Sequence, residues 1–254
     1  MVDPSSRGRV HIGTSGWHYK HWRGPFYPED LPPSKMLAWY ADRFDTVEIN
    51  NSFYRLPSSD AIAGWCRETS PNFCFAVKAS RYITHNRKLK DGAATSQKFI
   101  SQMRELGNRL GPILFQLPPS WRVNIARLEE FLSELPRRHR YVFEFRHDSW
   151  HAAEVYAALR RHNVALCMYE LAGFHSPLEP TADFAYVRLH GPGNKYQGDY
   201  TLAQLRTWAK RIEIWQKTLK QIFIYFDNDQ AAFAAKNAAE LKHIVAMDDT
   251  RKIA

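Results

Sequence analysis

Cysteine is scarce. The 254 residues hold three, Cys66, Cys74 and Cys167, each in an apolar stretch and none in a CxxC spacing. That argues against a disulfide framework or a cysteine-ligated metal and leaves buried free thiols as the expectation. Long apolar runs are also missing: nothing approaches the ~18 residues of a membrane-crossing helix, so no membrane partner is expected. The leading MVDPSSRGRVHIG has no apolar centre of a secretory signal, and a cytoplasmic location is the expectation. No GxGxxG follows the first strand-like run, which removes the usual mark of a dinucleotide-binding, doubly wound sheet. Linkers, repeats and low-complexity segments are absent. Residues 10–254 therefore read as one domain behind a flexible lead-in, residues 1–9. Negative charge is in short supply too: 35 Lys and Arg face 26 Asp and Glu, a net +9. An anionic partner, either a small molecule or a nucleic acid, fits that balance.

What is present is ordinary globular material, 44% apolar and 24% charged, arranged with a clear rhythm. Eight runs rich in Val, Ile, Phe or Tyr have strand length: Val10–Thr14, Thr46–Asn50, Phe73–Ala79, Pro112–Leu117, Tyr141–Arg146, Val164–Tyr169, Ala185–His190 and Ile222–Asp227. Between them helical periodicity predicts Ser34–Phe44, Ser59–Thr69, Thr95–Leu110, Asn124–Leu135, Ser149–His162, Thr201–Leu219 and Asp229–Ala246. Strand and helix alternating this way over roughly 250 residues predict an α/β fold, a single (β/α)8 TIM-type barrel. Two links stand out. The first βα loop, Gly16–Pro33, is long and aromatic; the sixth connection, Leu171–Asp183, is irregular, with two prolines and a glycine.

In such a barrel the C-terminal strand ends face the active site. Those ends carry Glu48 and Asn50, Lys78, Gln116, Glu144 and Arg146, Arg188 and His190, and Asp227 with Asn228. Ionisable residues two apart on one strand face are costly to bury without partners, so a polar pocket or a layer of ion pairs is expected. Glu48 beside Lys78 is the structural version; Glu48, Glu144 and His190 as catalytic groups is the functional one. Trp17, Tyr19, Asn50, Tyr54, Lys78, Gln116, Arg146, Arg188 and Asn228 are the expected ligand-binding residues. Trp17 and Tyr19 come from the aromatic first loop, and Tyr54 from the loop after the second strand.

The basic residues fall into two groups. RYITHNRKLK (Arg81–Lys90) follows the third strand and HGPGNK (His190–Lys195) the seventh, both at the pocket end. Barrel phosphate sites often use the loops after strands seven and eight. Arg137–Arg140 and Arg160–His162 precede strands five and six, at the opposite end, and read as solvated charge.

The segments GTSGW (Gly13–Trp17), VEINNSFYRLP (Val47–Pro57), FAVKA (Phe75–Ala79), QLPPS (Gln116–Ser120), FEFRHDSW (Phe143–Trp150) and YVRLHG (Tyr186–Gly191) carry a likeness that spans nearly the whole chain. With Asp227-Asn228 and Asn237-Ala238, they resemble the YecE-like family of unknown function. The resemblance implies a TIM-type barrel and no established activity. Cys167–Ala172, with Tyr169 and Glu170, departs from the family pattern.

Three functions compete. The favoured one is binding, with hydrolysis or other processing, of a phosphate-bearing ligand. There Glu48 or Glu144 serves as acid or base, His190 as proton shuttle, and Lys78, Arg146 and Arg188 hold the anion. No cofactor is identified and no metal ligand assigned; magnesium or manganese would suit the oxygens of Glu48, Glu144 and Asp227 better than zinc. A glycoside hydrolase using Glu48 and Glu144 is the second. A non-catalytic nucleic-acid binder using Arg81–Lys90 and the aromatic loop is the third.

Overall fold

The computed structural model of the chain describes residues 7–253; residues 1–6 of the expected lead-in lie outside them. In chain order the elements are β1 (Arg9–Thr14), α1 (Met36–Ala41), β2 (Thr46–Ile49), α2 (Ser59–Glu68), β3 (Cys74–Lys78), α3 (Gly92–Met103), β4 (Leu110–Gln116) and α4 (Ile125–Glu134). Then come β5 (Tyr141–Glu144), α5 (Ala153–Arg161), β6 (Ala165–Leu171), β7 (Phe174–His175), β8 (Phe184–Leu189), α6 (Leu202–Gln216), β9 (Gln221–Phe226) and α7 (Phe233–Ile253). Leaving aside β7, a two-residue partner of β6, this is the strand–helix succession of a (β/α)8 barrel. Every expected strand forms, with ends moved by one or two residues. The link from β6 to β8 is a hairpin, with Glu170 opposite His175.

The chain divides into two compact units: Met1–Val47, Met168–Ser176 and Asp183–Ala254 make one, Glu48–Cys167 and Pro177–Ala182 the other. In the first the strand order is β1-β9-β8-β6. β9 pairs parallel with both β1 and β8. Register sets His11, Phe223 and Tyr186 in one row and Gly13, Tyr225 and Arg188 in the next. Side chains alternate between faces, so Ser15, Asp227 and His190 continue that face past the strand ends. Gly13 has to be glycine: a Cβ there would lie 2.3 Å from the Thr46 carbonyl oxygen. Its absence lets the buried Tyr40 hydroxyl accept from Thr14 N at 2.9 Å and donate to Thr46 O at 3.0 Å.

The second unit has the order β6-β5-β4-β3-β2. Lys78 pairs in register with Leu114, Gln116 with Glu144, and Phe143 with Leu166. The same alternation puts Lys78, Gln116, Glu144 and Cys167 on one face. The other face is apolar. Phe115 stacks on Phe143 at 5.2 Å and meets Phe131 of α4 edge-on at 5.1 Å, all three fully buried. Each such ring contributes about 1.5–3 kcal/mol by burial, which fixes α4 against the sheet and leaves the polar face for other uses.

Local chemistry explains most helix starts. Ser58 caps α2 through Ala61 N, Asn124 caps α4 through Arg127 N, and Thr201 with Gln204 forms a capping box on α6. α1 starts at Met36 rather than Ser34 and α5 at Ala153 rather than Ser149, each behind a short 3-10 turn, and two further starts differ from expectation. α3 begins at Gly92 rather than Thr95, because Glu134 of α4 accepts from Ala93 N at 2.7 Å and supplies the cap from a distant part of the chain. α7 begins at Phe233 rather than Asp229. Ala231 and Ala232 have positive φ, and Asp229 is engaged by Trp22, whose indole nitrogen donates to it at 2.6 Å. Among the described residues no helix is long and apolar enough to cross a membrane.

Candidate functional site

The C-terminal strand ends of each unit carry a cluster of polar side chains. In the first unit the cluster is Arg188, His190 and Asp227. β8 presents Arg188 and His190 on one face, and β9 hands the chain to Asp227 through a backbone bond from Asp227 N to Leu189 O at 2.8 Å. Arg188 Nη2 donates to Asp227 Oδ2 at 3.1 Å, and His190 Nδ1 lies 2.8 Å from the same oxygen. Arg188 Nη1 lies 3.3 Å from His190 Nε2. A guanidinium only donates, so Nε2 accepts in that contact and the ring proton sits on Nδ1, close to Asp227 Oδ2 but out of line for a hydrogen bond to it. Arg188 and His190 are buried, and Asp227 is half-buried. Tyr169 and Tyr196 pack edge-on against the His190 ring, at 6.2 and 5.3 Å.

Tyr196 belongs to the glycine-rich turn after β8. Gly191 and Gly198 have φ of 109° and 94°, and a Cβ on Gly191 would lie 2.1 Å from the Gln197 carbonyl oxygen. The turn is tied down from below. Asn228 donates to Gly198 O and to Asn237 Oδ1, both at 2.9 Å, and Asn237 Oδ1 also accepts from Tyr200 N. Tyr200 donates to Glu170 at 3.0 Å and accepts from Gly191 N at 3.2 Å. Burial and the neighbouring carboxylate push its phenol well above the ordinary range. Asn228, expected at a ligand, therefore braces this turn, while its buried Oδ1 has no hydrogen-bond partner among the described residues.

The first loop closes on itself. Tyr19 donates to Ser15 O at 2.6 Å and packs on Trp22 at 4.9 Å; Tyr27 donates to the carbonyl of Trp17 at 2.5 Å. Trp17 and Tyr19 are half-buried, and Trp22 is fully enclosed. Asp229, which receives Trp22, also lies 3.3 Å from His21 Nε2. Burial raises its carboxyl above the ordinary value and Asp227 adds to the rise, against the lowering by the Trp22 and His21 contacts.

In the second unit Glu144 is the centre. Its side chain is wholly buried, Arg146 pairs with one oxygen, and the Cys167 thiol lies 3.6 Å from the other. Gln116 sits beside it in register. Glu48 is fully buried on β2. Half-buried Asn50 opens the short turn Asn51–Phe53, with its Oδ1 buried and unpartnered among the described residues. Lys78 Nζ stands 4.6 Å from the centre of the Phe53 ring, and Ser52 donates to the Lys78 carbonyl at 2.6 Å. His85 meets the same ring edge-on at 5.1 Å. Burial, then the charges of Lys78 and Arg81, push its imidazole below the ordinary value. Tyr54 is 75% exposed, lying edge-on to Phe53.

His85 lies in the basic loop after the third strand and Phe53 in the loop after the second, both expected from sequence at the pocket end; one participant was not singled out. Cys167 reads as an inert thiol in an apolar run; only the pairing of β5 with β6 brings it to Glu144. Among the described residues no group of three or more His, Cys, Asp or Glu gathers as a metal site. The cysteines are free, with Cys167 buried and Cys66 and Cys74 half-buried.

Comparison with known proteins agrees with this fold. A DUF72 family protein of Thermotoga maritima has a solved structure that matches with a TM-score of 0.85 and 29% identity, covering 94% of this chain and 99% of that one. A DUF72 family protein of Enterococcus faecalis matches with a TM-score of 0.80 and 16% identity, over 93% and 95% of the two chains. Among curated proteins, UPF0759 protein YunF of Bacillus subtilis is 23% identical, with 93% of this chain and 94% of that protein aligned. UPF0759 protein YecE of Escherichia coli K12 is 28% identical over 56% of this chain and 50% of its own length. The family model described as protein of unknown function DUF72 spans residues 11–253, and with so much of the sequence matched, the chain belongs to that family.

Proposed function

We propose that the C-terminal strand ends bind a phosphate-bearing ligand, a small molecule or a nucleic acid, and process it by proton transfer. The observation that carries this reading is His190 held between Asp227 and Arg188. A carboxylate lies next to the imidazole, and a guanidinium beside it suits the oxygens of an anion. The turn Gly191–Gly198, with its exposed Lys195, is of the kind that cradles phosphate. Lys78, Arg81 and His85 make the corresponding cationic group beyond β3. In the second unit Glu144, held by Arg146, is a separate acid–base candidate. Because His190 is buried under Tyr196, ligand entry requires the glycine-bounded turn to swing away.

The test uses p-nitrophenyl phosphate and bis(p-nitrophenyl) phosphate as monoester and diester probes. The native chain is expected to turn over one of them. His190→Asn and Glu144→Gln are each expected to lower kcat by about a hundredfold or more, with cooperative thermal unfolding retained. A native chain inert to both probes, or a His190→Asn variant of native activity, overturns the reading.

A further inference from the structure

The arginines ahead of β5 and β6 are exposed, in keeping with solvated charge, but they are not scattered. They converge on a cavity of about 580 Å3, at the N-terminal ends of the two strands. Arg137, His139 and Tyr141 come from the segment after α4; Arg161, His162 and Asn163 come from the end of α5. Leu132, Leu135 and Val164 complete it on the apolar side. The volume lies within the range of small-ligand sites, about 300–1,000 Å3, and most of the lining is polar, with Leu132, Leu135 and Val164 as its apolar part.

The charge there is mainly positive. Glu129 pairs with Arg161 and lies 3.2 Å from His162 Nε2. Among the described residues no carboxylate stands within ion-pair distance of Arg137 or Arg138. Arg138 instead donates to His139 Nε2 at 3.2 Å, which leaves that histidine as acceptor. The two segments feel each other. Burial and then Arg161 and Arg137 push the His162 imidazole below its ordinary value; burial and then Arg138 and Arg104 do the same to His139. Cations so placed repel one another, and an anion seated between them relieves that repulsion.

We infer that this cavity is a second binding site, separate from the C-terminal strand ends, for a small polyphosphate-bearing ligand. Arg137 and Arg161 grip the phosphates, and Tyr141 and the apolar floor receive whatever the phosphates carry. A pocket of about 580 Å3 fits a small molecule better than a nucleic-acid strand.

Calorimetry with inorganic tripolyphosphate and with adenosine triphosphate tests this, the second probe showing whether the apolar floor adds affinity. One equivalent of at least one probe is expected to bind. Arg137→Ala is expected to weaken it by about tenfold, as loss of one charge-assisted phosphate contact does. Arg137→Ala with Arg161→Ala should weaken it further. Neither change should alter phosphate-ester turnover, whereas His190→Asn should leave this binding intact. Arg137 is exposed and forms no ion pair, so its single variant remains informative if the double variant fails to fold. Absence of binding by both probes overturns the inference. So does affinity indifferent to Arg137, affinity lost in His190→Asn, or a single-stranded oligonucleotide that binds the site more tightly than either probe.

Discussion

Burial alone would push the Asp45 carboxyl up, yet its hydrogen bond to His11 and the charges of His11, Lys242 and Arg9 outweigh that and hold it below the ordinary 3.8. The unfolded chain then takes up the proton first. The stabilisation is complete above pH 3.8 and is lost as pH falls through the lower, folded value. Asp45→Asn is therefore expected to lower the Tm at neutral pH and to converge with the native chain in acid; thermal unfolding followed across pH reads this directly. If the two curves stay parallel, Asp45 is not the linked group. Asp45 was unremarkable in the sequence, as was its partner His11, which reads as one polar position in an apolar strand. His11 is buried and stacked on Phe223 at 4.8 Å, its neighbour in register. Residues such as Glu144, Arg146, Arg188 and His190 were legible because two ionisable groups at a spacing of two are expensive on a buried strand face. Their partners were not, because Cys167 and Asp227 arrive from other strands.

At the scale of elements, the turn after β8 depends on a single asparagine. Asn237 on α7 is fully buried, accepts from Tyr200 N and Asn228, and donates to Asp199 Oδ1 at 2.7 Å. Asn237→Ala leaves buried groups without partners and is expected to cost about 1–3 kcal/mol. Equilibrium urea unfolding measures the loss, and limited proteolysis should find the segment 193–197 cut faster. A variant of native stability and native protease resistance would show that the turn is held by something else. Helix boundaries show the same division. Thr201 and Gln204 cap α6 from within four residues, and that start was readable. α3 takes its cap from Glu134 forty-one residues from Ala93, so its start was not. The hairpin that replaces a sixth helix had left only an absence of periodicity in Leu171–Asp183.

For the molecule as a whole, the net charge of +9 bears on which anion is held. A nucleic acid gripped through about six phosphates would lose about a thousandfold or more in affinity from about 50 to 200 mM salt. Retention of a single-stranded probe by this chain is expected to show that steep dependence. Retention that is flat in salt would remove the electrostatic reading. By itself the sequence determined the succession of strands and helices, the side of each strand that carries polar groups, and the family. The first two follow from periodicity and spacing, which act over a few residues; the family follows from the resemblance of its motifs. Only the tertiary structure decided which polar groups meet. Parallel pairing set Gln116 beside Glu144, brought Cys167 to the same carboxylate and placed Asp227 next to His190. It also drew Arg137 and Arg161, exposed as the sequence reading had them, to the rim of one pocket. Contacts between segments tens of residues apart depend on register and packing, and neither is written in any local stretch of the chain.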